Sequence, residues 1–226
     1  MSQTPLIVTL TGPSGTGKSY LAKSLVDQGF TEIVSTTTRP PRAGEVEGVH
    51  YYFVDEATFL HKKEQGMFVE TICLGEPGKQ SHYGVLAEEI IKAASSGKPV
   101  VVVAEPHGVA QIHDYAQHQG WHVERVFLNN DPHRLVTRIL NRFHEDTQGL
   151  SQDDPLYLKR QQQHAQRLIR VLQEEQEQWV GPALRGEQTY ELIFDSFGPN
   201  EQAKVVEDIM ERIQPFLPRT AKKPSP

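Results

Sequence analysis

Short apolar runs alternate with stretches of helical period along this chain. The run Leu6–Thr11 is apolar and β-branched and stops at Gly12 and Pro13, which predicts a buried strand closed by a turn. Over 19–26, Leu21, Ala22, Leu25 and Val26 fall at helical spacing, with Gly29 as a stop. Residues 32–37 read as a second strand. Residues 39–48 carry two prolines and two glycines and read as an ordered loop. Strands are expected at 51–54 and 68–74 around a helix near 56–65, followed by a helix at 86–95. The most apolar run, 99–105, predicts a central parallel strand. A helix at 112–119, a strand at 123–128 and a helix at 132–143 follow, the last with Pro132 at its start. Leu168, Val171, Leu172, Glu175 and Trp179 share one face of a long helix beginning near 155. A strand at 190–194 and a helix at 201–217 come next. The tail 218–226 has three prolines, three cations and no acids, and is expected to be disordered.

Repeated strand–helix units imply an α/β fold, a parallel sheet with helices on both faces. The stretch from about 39 to 85 breaks the alternation and reads as an insertion with its own small, partly antiparallel sheet. At 226 residues and 37% hydrophobic content, one domain with a packed core is expected. No apolar run approaches the roughly 20 residues that cross a bilayer. The first residues carry no charged segment ahead of Leu6, so no signal peptide is read and a cytoplasmic location is expected, host cytoplasm for a viral source. The single cysteine, Cys73, excludes a disulfide framework and a cysteine-rich metal site, and is expected in the core. The net charge of −6 excludes a generally basic nucleic-acid binder.

The strongest chemical signal lies between the first strand and the first helix. Gly12, Pro13, Ser14, Gly15, Thr16, Gly17, Lys18 and Ser19 match G-x-x-x-x-G-K-[ST], a phosphate loop in the required context. Glycines let backbone N–H groups turn inward around phosphate oxygens, and the helix N-terminus adds a positive dipole end. Lys18 is placed to reach the β- and γ-phosphates of ATP, and the Ser19 hydroxyl to ligate Mg²⁺. The second strand then ends in hydroxyls and two arginines, Arg39 and Arg42, on a proline-stiffened loop. Two guanidinium forks three residues apart suit bidentate bonds to one phosphate.

With these residues the chain resembles the guanylate kinase family. The family's features occur in order: GPSGTGKS at 12–19, STTTRPPRAGE at 35–45, GVHYYFV at 48–54, GMFVE at 66–70, HYG at 82–84 and EPHGV at 105–109. The resemblance implies a parallel-sheet phosphate-loop kinase core (5–36 and 86–136), a nucleoside-monophosphate-binding β/α insertion (37–85) and an arginine-bearing lid (137–160). C-terminal helices and a strand (161–217) and the tail (218–226) complete the division. It implies transfer of the γ-phosphoryl group of Mg·ATP to GMP or dGMP. Ser35, Arg39, Arg42 and Tyr51 would hold the acceptor phosphate, Glu45 would support them, and Tyr83 would join them. Glu70 would accept from the guanine edge. Arg138 and Arg142 would close over the transferring group, and Arg160 would reach in from the next helix. The implied partners are small nucleotides, with no membrane; the oligomeric state is left open.

The base pocket departs from the family pattern. Val85 stands where the family has a hydroxyl, Val103 and Glu105 stand where it has Asp-x-Asp, and 76–81 are extra. The family's asparagine near the donor base falls at Asp195. These changes keep two alternatives open: a kinase for a modified nucleotide or a hydroxymethylated base in viral DNA, and a non-catalytic binding module. The net charge speaks against the DNA acceptor, and the intact Lys18, Ser19, Arg39 and Arg42 against the module. Glu105 reads equally as a water-mediated Mg²⁺ ligand or as a cap for the following helix. His118 and His122 are four apart, but Gly120 breaks any helix between them, so they are not read as a metal pair. Arg160, Arg167 and Arg170, followed by Glu174, Glu175 and Glu177, read as an ordinary solvated helix face.

Overall fold

A computed structural model describes residues 4–42, 44–75, 78, 80–195 and 201–217. The tail 218–226 lies outside the described residues, as do residues 76, 77 and 79 of the extra segment.

The first strand, β1 (Leu6–Thr11), is buried along its whole length. Its neighbours are β7 (Val100–Val103) and β8 (His122–Leu128), and β2 (Thr31–Glu32) and β9 (Leu192–Phe194) lie at the edges. Together they make a five-stranded parallel sheet ordered β2-β7-β1-β8-β9, with β1 in the middle. The two-residue period of β1 divides the core. Leu6, Val8 and Leu10 face Leu21, Ala22 and Leu25 of α1 (Lys18–Asp27), together with Val205, Ile209 and Ile213 of α8 (Gln202–Ile213). Ile7 faces the other way, toward Ile90 and Ala93 of α3 (Ala87–Ala94) and Ile112 and Ala116 of α4 (Pro106–His118). Helices therefore cover both faces of the sheet, as the alternation predicts.

A second sheet is built between β2 and α3 from β3 (Thr36–Thr37), β4 (Tyr52–Phe53), β5 (Phe68–Leu74) and β6 (Ser81–Leu86), in the order β4-β3-β6-β5. It is parallel at β3–β4 and antiparallel at β3–β6 and β5–β6. Helix α2 (Glu56–Glu64) is capped by the Asp55 side chain, which accepts from the Thr58 N–H at 2.7 Å. The expected strand at 32–37 is corrected: it is two short strands in different sheets. The Ile33 N–H still bonds to Val101 of the parallel sheet, but Thr36 pairs with Gly84. Strand β6 has no counterpart in the sequence reading, because Gly84 and polar Ser81 and His82 interrupt its pattern. Cys73 is also corrected. It is exposed, since β5 is the edge of the small sheet and this position points outward.

Helix α5 (Pro132–Thr147) starts on the Asp131 cap and runs beyond its expected end. The long helix from 155 is α6 (Pro155–Arg170), which continues as a π-helical segment (Val171–Val180) into α7 (Gly181–Leu184). Helix α4 begins at Pro106, six residues before the periodicity shows it. Among the described residues, no helix is long and apolar enough to cross a membrane.

Candidate active site

The loop between β1 and α1 is held by contacts only its own residues permit. Gly12 has φ 136°, and a Cβ there would lie 1.9 Å from the Leu128 carbonyl oxygen, so the loop passes against β8 only as glycine. The Thr16 hydroxyl and N–H both bond the Pro13 carbonyl, at 2.9 and 3.3 Å. Gly17, left-handed at φ 100°, is the N-cap of α1 and supplies no side chain to it, so no side chain caps the first N–H groups of that helix. Lys18 Nζ donates to the carbonyls of Gly12 at 2.7 Å and Pro13 at 2.9 Å. Burial lowers its ammonium to about 8, against the attraction of Glu175 and Glu105. Ser19 lies exposed in the first turn.

The loop after β3 forms a compact polar unit. Arg39 makes a bidentate pair with Glu45, both bonds at 2.9 Å, and its guanidinium lies 5.3 Å from the Tyr51 ring centroid. The Arg42 N–H donates to Glu45 at 2.7 Å. Burial opposes the ionisation of Glu45, but the bonds from Arg39 and Arg42 prevail and hold it below the usual carboxylate range. Tyr51 meets Tyr83 edge to face at 6.0 Å. Burial and the neighbouring Tyr83 push the Tyr51 hydroxyl up. Ser35 enters β3 beside this unit, its carbonyl accepting from Tyr52 at 2.9 Å.

Glu70 is buried on β5, opposite Val85. A Cβ at Gly108 would come within 2.9 Å of its carboxylate, so α4 approaches Glu70 closely only through that glycine. No hydrogen bond to this carboxylate forms among the described residues. Burial, with Glu105 adding repulsion, raises it to about 7. Val85 is fully buried in the apolar cluster around Ile7 and brings no polar group to the pocket. Glu105 is the N-cap residue of α4 but its side chain makes no cap bond. Burial pushes it up, while Arg170 and Lys18 draw it down. It lines a cleft of about 260 Å³ shared with Ile72, His107, Arg170, Glu175 and Trp179.

Helices α5 and α6 bring arginines to the loop. Arg138 donates to the Gly15 carbonyl at 2.9 Å, and burial, then Arg134, lowers its guanidinium. Arg142 stands one turn further along α5. Arg160 is engaged elsewhere: its guanidinium pairs with Asp146, which also bonds His164 at 3.0 Å. Arg167 takes the inward place. Burial lowers it to about 10, with repulsion from Arg142, Arg42 and Arg170. Arg170 and Glu175 touch the phosphate loop itself, through Ser14. The reading of this helix as a solvated face is thus corrected at Arg167 and Arg170. The available signal was Glu175, an acid on an otherwise apolar face. Asp195, expected near the donor base, accepts from Asn129 at 2.8 Å at the end of β9.

A parallel sheet whose central strand opens into a phosphate loop, with arginines converging on it, defines the phosphate-loop class of α/β nucleotide-binding proteins. The Guanylate kinase family model matches residues 2–176, and the chain belongs to the guanylate kinase family. It is 41% identical over 113 residues to a guanylate kinase of Sulfurimonas denitrificans, covering 49% of this chain and 52% of the relative. With one from Nostoc sp. it shares 42% over 109 residues, 47% of this chain and 52% of that one. The chain thus spans about half the length of these curated relatives. The crystal structure of guanylate kinase from Anaplasma phagocytophilum superimposes with a TM-score of 0.61 at 20% identity, over 97% of this chain and 89% of the other, a likeness of fold.

Proposed function

We propose that this chain is an ATP-dependent nucleotide kinase that moves the γ-phosphoryl group of ATP to GMP or dGMP. The observation that carries the reading is the convergence of positive charge. Beyond the effect of burial, Arg142 from α5, Arg42 from the loop after β3 and Arg170 all depress the Arg167 guanidinium. Such a basin suits the phosphate of an acceptor facing the terminal phosphate of a donor. Phosphoryl transfer asks for positioning and charge stabilisation more than covalent help.

In this reading, 5–36 and 86–136 are the core, 37–85 hold the acceptor, and 137–160 form the lid. The loop 12–19 cradles the phosphates of ATP, and Lys18 neutralises charge on the transferring group. Ser35, Arg39, Arg42, Tyr51 and Tyr83 receive the acceptor phosphate, with Glu45 fixing Arg39. Glu70, buried with no hydrogen bond among the described residues, accepts from the N–H groups of the guanine edge. Arg138, Arg142 and Arg167 close over the reacting phosphates. The Ser19 hydroxyl and the Glu105 carboxylate are oxygen donors of the kind Mg²⁺ takes alongside substrate phosphates, and both fit that ion. When bound, Mg²⁺ would neutralise phosphate charge. The proposed setting is cytoplasmic.

A second reading, a kinase for a non-standard base, is favoured by one feature: the apolar, fully buried Val85 opposite Glu70. The first test is ATP consumption with and without a monophosphate acceptor. Acceptor-dependent turnover that disappears in Lys18→Ala is expected; none with any acceptor would overturn both readings.

A further inference from the structure

The phosphate loop already holds an anion supplied by the chain itself. Glu175, 1% exposed, accepts the Ser14 N–H at 2.7 Å through one carboxylate oxygen. Its other oxygen accepts from Arg170 Nε at 2.8 Å. Arg170 Nη2 then donates to the Ser14 hydroxyl at 3.1 Å. Loop amide, carboxylate, guanidinium and loop hydroxyl form a closed ring, and Glu175 leads the charges that attract Lys18. A carboxylate taking an N–H of this loop beside its lysine offers what a phosphate oxygen offers, delocalised negative charge with free lone pairs.

We propose that Glu175 is an internal occupant of the phosphate loop which the donor's phosphate displaces, and that Arg170, released from Glu175, becomes a further phosphate-binding side chain. The proposal rests on the phosphate-loop reading given above. Its physical basis is competition. A buried carboxylate and a phosphate cannot share the single Ser14 N–H, and like charges at that distance repel. The exit route is present. Glu175 borders the cleft of about 260 Å³, so its side chain can leave the loop without crossing the packed core. Arg170 is about one-third exposed and free to turn with it. The backbone carrying Glu175 is wound as a π-helix over Val171–Val180, a rare geometry frequent at functional sites.

The test is binding of inorganic tripolyphosphate to the full chain by calorimetry, without Mg²⁺, for wild type, Lys18→Ala, Glu175→Gln, Arg170→Ala and the double variant at 170 and 175. Glu175→Gln preserves shape and removes the charge, and should bind about tenfold tighter than wild type. Adding Arg170→Ala to Glu175→Gln should weaken binding about tenfold, because Arg170 then meets the phosphate and not Glu175. Lys18-dependent binding that Glu175→Gln leaves unchanged or weakens would overturn the displacement. No effect of Arg170→Ala in the Glu175→Gln background would overturn the role of Arg170. Tripolyphosphate binding that no chain shows in a Lys18-dependent way would overturn the phosphate-loop reading itself. A second measurement needs no change at Glu175. Trp179 lies four residues along the same segment and is one of two tryptophans. In a Trp121→Phe chain, tripolyphosphate should change Trp179 emission; binding without that change would contradict the displacement.

Discussion

Lys18 spends its donors on the carbonyls of Gly12 and Pro13, held there at the centre of the loop. In the proposed reading its positive charge serves the transferring phosphate and not the core, so Lys18→Ala should lower kcat by about 10²-fold or more. The melting temperature should change little, and near-wild-type turnover would show the loop is not catalytic. Gly12 is the opposite case. Gly12→Ala drives a Cβ into the Leu128 carbonyl at a left-handed φ, and should cost about 3 kcal/mol or more in urea unfolding. Glu70 adds a pH signature. Its carboxyl is raised from 4.5 to about 7, so the folded state binds the extra proton between those values. Stability should therefore fall as pH rises through this window and level off above 7. In the proposed reading catalysis moves the other way, since there the ionised carboxylate accepts from guanine. The kcat/KM for GMP should rise through an apparent pKa near 7, and Glu70→Gln should flatten that profile. At this scale the sequence made the loop legible, because a local motif fixes its own neighbours. Glu175 showed only as an acid on an apolar face, because its bond to Ser14 spans 161 residues, and Arg167 meets Arg42 only through the fold.

Among the elements, Arg39, Glu45, Tyr51 and Tyr83 form one connected polar and aromatic unit. Glu45 and the Pro40 carbonyl take the terminal nitrogens of Arg39, whose Nε is buried without a hydrogen-bond partner among the described residues, while Arg42 donates only its backbone N–H to Glu45. Arg42 thus has the more available guanidinium. Arg42→Ala should raise the acceptor KM by about tenfold or more and alter the ATP KM less than about twofold in steady-state kinetics. A selective loss of ATP affinity would place this loop on the donor side. Strands with continuous apolar runs, such as β1, β7 and β8, were legible with nearly their observed bounds. Segments that change sheets were not. The chain crosses from one sheet to the other between Ile33 and Thr36 with no glycine or proline to mark the crossing. Gly84 hides β6 for a packing reason, since a Cβ there would meet the Glu70 carbonyl at 2.8 Å. The π-helical winding of Val171–Val180 leaves no mark in a pattern read at helical period.

Over the whole molecule, a chain with net charge −6 brings Arg138, Arg167 and Arg170 to Lys18 and its loop, with Arg42 and Arg142 near enough to act on Arg167. That contrast suits the loop to the anionic substrates of the proposed reading. Which base those substrates carry depends on fewer groups. In the proposed reading Glu70 remains as an acceptor, and Val85 lies buried in the core. The most direct test of the account is kcat/KM for each acceptor, compared across GMP, dGMP, AMP, CMP, UMP and DNA containing hydroxymethylated bases, with Mg·ATP as donor. The account predicts that GMP or dGMP exceeds the other monophosphates by at least about 10²-fold. Labelling of the modified DNA with no turnover of GMP or dGMP would contradict it.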